Sequence, residues 1–450
     1  MGRVMSSAPP RAPSPSRSAR WRAAVTALAG VSLVAVVFAL VAGGSRAPSV
    51  VPASPALTLR PGQSTVEQIG VLQAAARSRP RNAEVLAGLG VAYYQRVRET
   101  GDFSYYVRAQ GVLDHALRLQ PDNLTATVGM ATIALARHDF AGGLRYALRA
   151  RSLNPLGVAG FAGVIDGQVE TGRYREAAQS IQQFVDLRPG LPSYARVSYF
   201  RELHGDLTGA VDAMGYAISA GGETPENVAY VQTLLGDLQF LRGRVSEAKA
   251  AYRLALGGVG HYVPAQVGLA QVQAVQGHLP AAIGELRDAV TRLPLPQYIV
   301  ALGEDELAAG RPAAARTDFA LIGAEERLLE ANGVNTDVDL ALFEAGHGDP
   351  RRGLTLARRA WQRASSIRSA DAMGWALTRA GNPLAGLVWA RRALTLGSRD
   401  PFLLYHAGAA AAGAGQRTLA ARYLRESLAL NPRFSAYYAP LARRALRAVT

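Results

Sequence analysis

Cysteine is absent from the 450 residues. That excludes disulfides, thiol catalysis, cysteine-ligated zinc and lipid attachment through an N-terminal cysteine. Lysine is nearly absent too: Lys249 is the only one, so positive charge is carried by arginine, which fits the codon bias of a GC-rich genome. Strand patterns are scarce, while helix formers and small residues abound. Signatures of common chemistries are missing as well. The seven histidines (His115, His138, His204, His261, His278, His347 and His406) show no H-E-x-x-H or other metal spacing, and read as structural or solvated. Gly88-x-Gly90 lies within a helical pattern with no preceding strand and no Gly-Lys-Ser/Thr, so it is no phosphate loop. No G-x-S-x-G elbow occurs. Glu304, Asp305 and Glu306 are adjacent and splay around a helix, which predicts a solvated face, not a cation site. Asn123-Leu-Thr125 is a formal sequon, read as chance. We therefore expect no catalytic residues, no cofactor and no metal.

Acidic side chains are missing from the chain's ends. Residues 1–46 carry six arginines and no acid, and residues 351–450 carry 17 arginines against Asp371, Asp400 and Glu426. Residues 47–350 are slightly acidic, so the net charge of +15 belongs to the two ends.

Residues 23–42 lack charge over a length sufficient to span a bilayer as a helix. Arg3, Arg11, Arg17, Arg20 and Arg22 precede this run and only Arg46 follows closely, which predicts a cytoplasmic N-terminus and an extracytoplasmic remainder. Trp21 sits where an interfacial anchor would. Cleavage near Ala42-Gly43-Gly44 would instead give a secreted chain. The apolar run is longer than a usual signal core, which favours an uncleaved signal anchor in the cell membrane. Residues 1–22 form an Arg/Ser/Pro-rich segment expected to be a disordered cytoplasmic tail, and residues 43–63 a proline-rich linker.

A period of 34 residues runs through the rest. Pro121, Pro155 and Pro189 are 34 apart, as are Ala255 and Ala289, Gly243 and Gly277, and Gly381 and Gly415. Leu86-x-x-Leu89-Gly90-x-x-Tyr93 reads as one helix and Ala109-x-x-x-Leu113-x-x-Ala116 as the next, ended by Pro121. Small residues such as Gly90 and Ala116 mark close backbone approach, and Leu113 fills the gap beside them. Phe184 departs from this pattern at a normally small position. Turn glycines are expected at Gly172, Gly205, Gly243, Gly277, Gly310, Gly348, Gly381 and Gly415, with longer connections near 221–225 and 322–335. Phe103, Tyr105 and Tyr106, in an insert of the first repeat, would cover the N-terminal end of the array or meet a partner.

These motifs resemble the tetratricopeptide repeat family, and more particularly bacterial membrane-anchored or exported members, which phrases such as Asp371-Ala-Met-Gly-Trp375-Ala-Leu377 and His406-Ala-Gly408 also resemble. The resemblance implies an all-α, right-handed α-solenoid of about ten helix–turn–helix repeats over residues 64–432, a capping helix over 433–450, and protein or peptide binding without catalysis. It also implies a concave groove lined by first helices. Arg368, Asp371, Trp375, Thr378 and Arg379 share one helical face, Tyr230, Thr233, Asp237, Phe240 and Leu241 repeat the spacing, and Phe402 and Tyr405 extend it. The candidate groove residues are therefore Tyr230, Asp237, Phe240, Arg368, Asp371, Trp375, Arg379, Phe402 and Tyr405, with packing between repeats as the alternative. Ala87 and Val91 stand where carboxylate-clamping members carry polar residues, so that subclass is not expected. Arg358, Arg359, Arg363, Arg391, Arg392, Arg422 and Arg425 form a candidate basic stripe along second helices, either a solvated face or a dock for an acidic partner. The expected role is an extracytoplasmic scaffold for a protein or peptide, anchored to the membrane through residues 23–42. Binding of an anionic envelope polymer or lipid through the arginine-rich end is the alternative, and no nucleic acid is expected.

Overall fold

The computed structural model describes residues 64–222 and 225–450. The expected tail, span and linker at residues 1–63 lie outside these. Among the described residues no helix is long and apolar enough to cross a membrane.

The described residues contain helices and no strand. Helix α1 (Thr65–Ser78) leads into ten helix pairs. They are α2 (Ala83–Thr100) with α3 (Ser104–Leu119), α4 (Leu124–Ala136) with α5 (Phe140–Leu153), α6 (Val158–Glu170) with α7 (Tyr174–Leu187), α8 (Leu191–Leu203) with α9 (Leu207–Ala220), and α10 (Pro225–Leu241) with α11 (Val245–Gly258). Then follow α12 (Val263–Val275) with α13 (Leu279–Arg292) and α14 (Pro296–Ala308) with α15 (Pro312–Phe319). After the unpaired α16 (Ile322–Ala331) come α17 (Asp337–His347) with α18 (Pro350–Arg363), α19 (Ile367–Arg379) with α20 (Pro383–Ala393), and α21 (Pro401–Gly413) with α22 (Arg417–Leu430). Helix α23 (Tyr438–Val449) ends the array, burying Tyr438, Ala439 and Ala442 while its arginines face outward.

Local chemistry sets these boundaries. Asn82, Asn123, Asp139, Asp206 and Asn382 each accept a hydrogen bond from the backbone amide three residues on, satisfying an orphan donor of the first turn. Pro121, Pro155 and Pro189 follow two residues after α3, α5 and α7 end at Leu119, Leu153 and Leu187. Residues 322–335, expected as a longer connection, contain α16, whose Ile322 and Leu329 are buried.

Packing within pairs depends on missing side chains. A Cβ on Gly236 or on Gly268 would lie 2.4 Å from the ring of Tyr252, which is fully buried between them. Phe184 is accommodated by stacking on Phe161, centroids 5.5 Å apart and rings 3° from parallel. Several first helices are buried almost all round, as in α19, whereas second helices such as α18 bury a single face. The first helices therefore form the inner wall of the coil.

The coil closes on itself, which the repeat pattern does not specify. The turn of pair one meets the exit of pair six, where Gly101 faces Leu293. Its Arg98 also pairs with Glu226 at 2.9 Å. The turn of pair two meets the segment entering pair eight: Arg137 Nε donates to Gly333 O at 3.0 Å and Asn335 N donates to Arg137 O at 2.9 Å. The turn of pair three meets the exit of pair eight, where Ile367 N donates to Tyr174 Oη at 2.9 Å. The turn of pair five meets the exit of pair ten, where Asn431 Nδ2 donates to Phe240 O at 2.6 Å. Each of these four turns thus abuts the connection following the pair five places ahead, making a seam between successive coils.

Two residues show how tight the seam is. Gly172 has φ +76°, and a Cβ there would lie 2.4 Å from Ser365 O across the seam. His138 is, among the described residues, the non-glycine in the left-handed region, with φ 58°. Histidine tolerates that region better than most side chains, and here its Nδ1–H donates to Asn335 O at 2.7 Å. Gly348 stands, as expected, in the turn between α17 and α18, but with φ −115°, outside the left-handed region.

Candidate functional site

Inside the coil, four first helices and the segment after α22 line a cavity of about 290 Å³. Helix α10 contributes Tyr230, Thr233, Asp237 and Phe240, which lie on one face by their spacing. Helix α14 contributes Tyr298, Glu304 and Asp305, and α12 contributes Val267 and Gln271. Pro401 and Phe402 of α21, with Phe434, close the opposite side. Phe402 and Phe434 meet edge to face, centroids 5.0 Å apart.

The electrostatics of this cavity are one-sided: Asp237, Glu304 and Asp305 line it, and none of its lining residues is basic. Asp237 accepts a hydrogen bond from Tyr252 Oη at 2.6 Å. Burial nevertheless raises its carboxyl to about 7, the Tyr252 bond opposing the rise. Asp305 is 8% exposed and its Oδ2 has no hydrogen-bond partner among the described residues. Burial, then the charges of Glu304 and Glu306, raise it to about 7. Deeper in the coil, Glu202 is held well above the ordinary carboxylate range by burial and by Asp237 and Asp400.

Other interior acids are matched. Asp166 takes two hydrogen bonds from Arg196, at 2.8 and 2.5 Å. Glu306, 1% exposed, pairs with Arg287 at 2.8 Å and Arg311 at 3.5 Å. Glu304 Oε1 lies 2.9 Å from His347 Nε2. The sequence expectation that Glu304, Asp305 and Glu306 form a solvated face is thus corrected: α14 is an inner helix, so its acids point into the wall and interior.

A second cavity of about 540 Å³ lies along the seam and shares Pro264, Gln297 and Tyr298 with the first. Tyr94, Phe103, Tyr106 and Tyr262 give it an aromatic lining, with Arg98, Glu99, Glu226 and Arg292 at its edge. Phe103 and Tyr106, expected to cover the end of the array or meet a partner, stack on each other at 6.0 Å within this lining.

Of the candidate groove residues, Tyr230, Asp237, Phe240 and Phe402 converge on the first cavity. The others lie elsewhere. Asp371 (2% exposed), Trp375 (4%) and Tyr405 (7%) are buried between repeats instead of standing exposed on a groove wall. The Trp375 ring stacks on His406 at 4.3 Å, and His406 Nδ1 lies 3.0 Å from the Asp371 carboxylate. Arg379 is exposed, with Nε donating to Ala345 O at 3.0 Å. Arg368 is half-buried beside the Glu170 and Tyr199 side chains. Sequence spacing did not single out Asp305, Tyr298 or Phe434, although Asp305 stands in the noted acidic run.

All seven residues of the basic stripe are exposed on second helices. Several are engaged. Arg359 pairs with Asp337, and Arg363 lies 3.7 Å from it. The Arg392 guanidinium is 4.5 Å from the Trp361 ring centroid and 5.3 Å from that of Trp389. Arg422 lies 5.0 Å from the Tyr423 ring centroid and 3.8 Å from Glu426. Arg358, Arg391 and Arg425 make no ion pair among the described residues.

The architecture is that of a tetratricopeptide-type helical repeat array. No protein-family model matches the chain, and no curated protein does. Among solved structures it is similar to human IFIT1 in a dimer with PPP-AAAA, at 15% identity over 73% of this chain and 78% of that one, TM-score 0.46. It is similar to the APC/C hetero-tetramer Cut9-Hcn1 at 15% identity over 86% and 67%, TM-score 0.39. A tetratricopeptide repeat protein from Parabacteroides merdae is 16% identical over 61% and 98%, TM-score 0.34. Such likeness concerns the fold alone.

Proposed function

We propose that this chain is a non-catalytic scaffold that holds a segment of a protein partner inside its coil. The observation that carries the reading is the pair of adjoining cavities, about 290 Å³ inside the coil and about 540 Å³ along the seam, both lined with aromatic side chains. Aromatic walls with a few placed polar groups suit a bound segment. Nucleic acid fits poorly, because a phosphate backbone needs positive charge and the first cavity presents only carboxylates. We further propose, from the charge-free run 23–42 and the arginines before it, that the array stands outside a membrane it is tethered to. A reporter active only outside the cytoplasm, fused after Thr450, should then be active.

The binding reading is tested by a photo-crosslinking residue in place of Phe240 or Phe402 in the full chain. Crosslinks to a partner protein from either position support it. Crosslinks obtained at Arg391 on the outer surface, with none from the interior, would refute an interior site.

A further inference from the structure

We propose that the cavity between α10, α14 and the start of α21 is a receptor for a positively charged side chain, an arginine or lysine of the bound segment. The proposal rests on the peptide-binding reading above and adds the chemistry of recognition.

Three observations converge. The first is charge: Asp237, Glu304 and Asp305 face the cavity with no basic residue among its lining. The second is the kind of wall between these acids. Tyr230, Phe240, Tyr298, Phe402 and Phe434 surround the space, and aromatic faces attract a cation through their quadrupoles, the more so once it is desolvated. The third is an unmet demand. Asp305 is more than nine-tenths buried and its Oδ2 has no partner among the described residues. A buried carboxylate without a counter-charge is unfavourable. At Asp166 and Glu306 this chain supplies the partner itself, from Arg196 and Arg287, while Glu202, which does not line this cavity, also keeps an oxygen without a hydrogen-bond partner among the described residues. At Asp305, which lines the cavity, no basic side chain of the described residues plays that part. The cavity, about 290 Å³ against about 30 Å³ per liquid water, has room for a long cationic side chain. A guanidinium or ammonium entering it would meet a carboxylate at its head and rings along its stem, the two contacts a long basic side chain makes best.

The test uses the purified full chain and a random dodecapeptide display library, followed by synthetic peptides and free acetyl-arginine amide. Wild-type protein should enrich peptides bearing an arginine or lysine. Exchanging that residue for citrulline or acetyl-lysine should weaken binding at least about tenfold, a typical worth for a lost charge-assisted contact. Asp305→Asn should weaken the charged peptide by a similar factor and the neutral one hardly at all, which shows that the two groups meet. Phe402→Ala should also weaken the charged peptide. Peptides that bind yet ignore both the citrulline exchange and Asp305→Asn would overturn the cation receptor while leaving the scaffold reading intact. If no peptide is enriched but acetyl-arginine amide binds wild-type and not Asp305→Asn protein, the cavity takes a free cation and the peptide reading falls. If neither binds, the receptor is refuted outright.

Discussion

Replacing Asp305 with asparagine should stabilise the protein at alkaline pH and leave it almost unchanged in acid. The carboxyl is raised from 3.8 to about 7 by burial and by Glu304 and Glu306. The folded state therefore holds a proton that the unfolded state has released between about pH 4 and pH 7. Stability contributed by this group is present at low pH and is lost as pH rises through that window. Above pH 7 the folded chain carries an unpaired buried charge, which by the shift alone costs about 4 kcal/mol. Water admitted by the cavity screens part of this, so about 2 kcal/mol is a fair expectation. Asparagine keeps the shape and removes the charge. Thermal unfolding at pH 8.5 should show Tm higher by about 2–4 °C in Asp305→Asn than in wild type, with no comparable gain at pH 4.5. Asp237→Asn provides a contrast. That carboxyl is raised to a similar level but accepts the Tyr252 hydrogen bond, so its replacement should gain less. A lower Tm at pH 8.5, or an equal gain at both pH values, would show that Asp305 does not carry an uncompensated charge.

Other expectations follow from packing. Gly268→Ala places a Cβ 2.4 Å from a Tyr252 ring that is fully buried and tied to Asp237. It should lose about 1–3 kcal/mol in urea unfolding, and a neutral result would mean the ring can shift. Tyr174→Phe with Asn431→Ala removes two seam hydrogen bonds, each worth about 1 kcal/mol. Small-angle scattering of that double variant should give a larger radius of gyration, and an unchanged radius with unchanged stability would argue against a closed seam. Arg392→Gln removes a cation held near two indoles and should cost about 1 kcal/mol and alter tryptophan fluorescence. Arg391→Gln should do neither, and equal effects of the two would dismiss the stacking argument.

Much of the fold is legible in the sequence because it is local. The 34-residue spacing of Pro121, Pro155 and Pro189 marks where second helices end, and Gly90 beside Leu113 announces close helix crossing. The face carrying Tyr230, Asp237 and Phe240 is fixed by helical geometry, so those side chains could be grouped before their surroundings were known. What could not be read is non-local. Whether Trp375 stands free or packs on His406 depends on the distance between neighbouring pairs. Glu304, Asp305 and Glu306 look solvated as a run of acids, and only the curvature of the coil turns α14 inward. Contacts such as His138 with Asn335 join residues nearly 200 positions apart, and no periodicity encodes them.

That closed seam changes how the array can vary and unfold. In an open solenoid each repeat touches only its neighbours, so one can be removed or duplicated and the rest carries on. Here Gly172 is fitted to Ser365, Arg137 to Gly333 and Asn431 to Phe240. Excising one pair between the members of such a match would bring every downstream connection against the wrong turn. The number of pairs between matched turns is thus fixed by geometry, much as the tooth count of meshed gears is fixed. Distant parts of the chain are also bound to melt together, since parting one coil from the next releases several pairs at once.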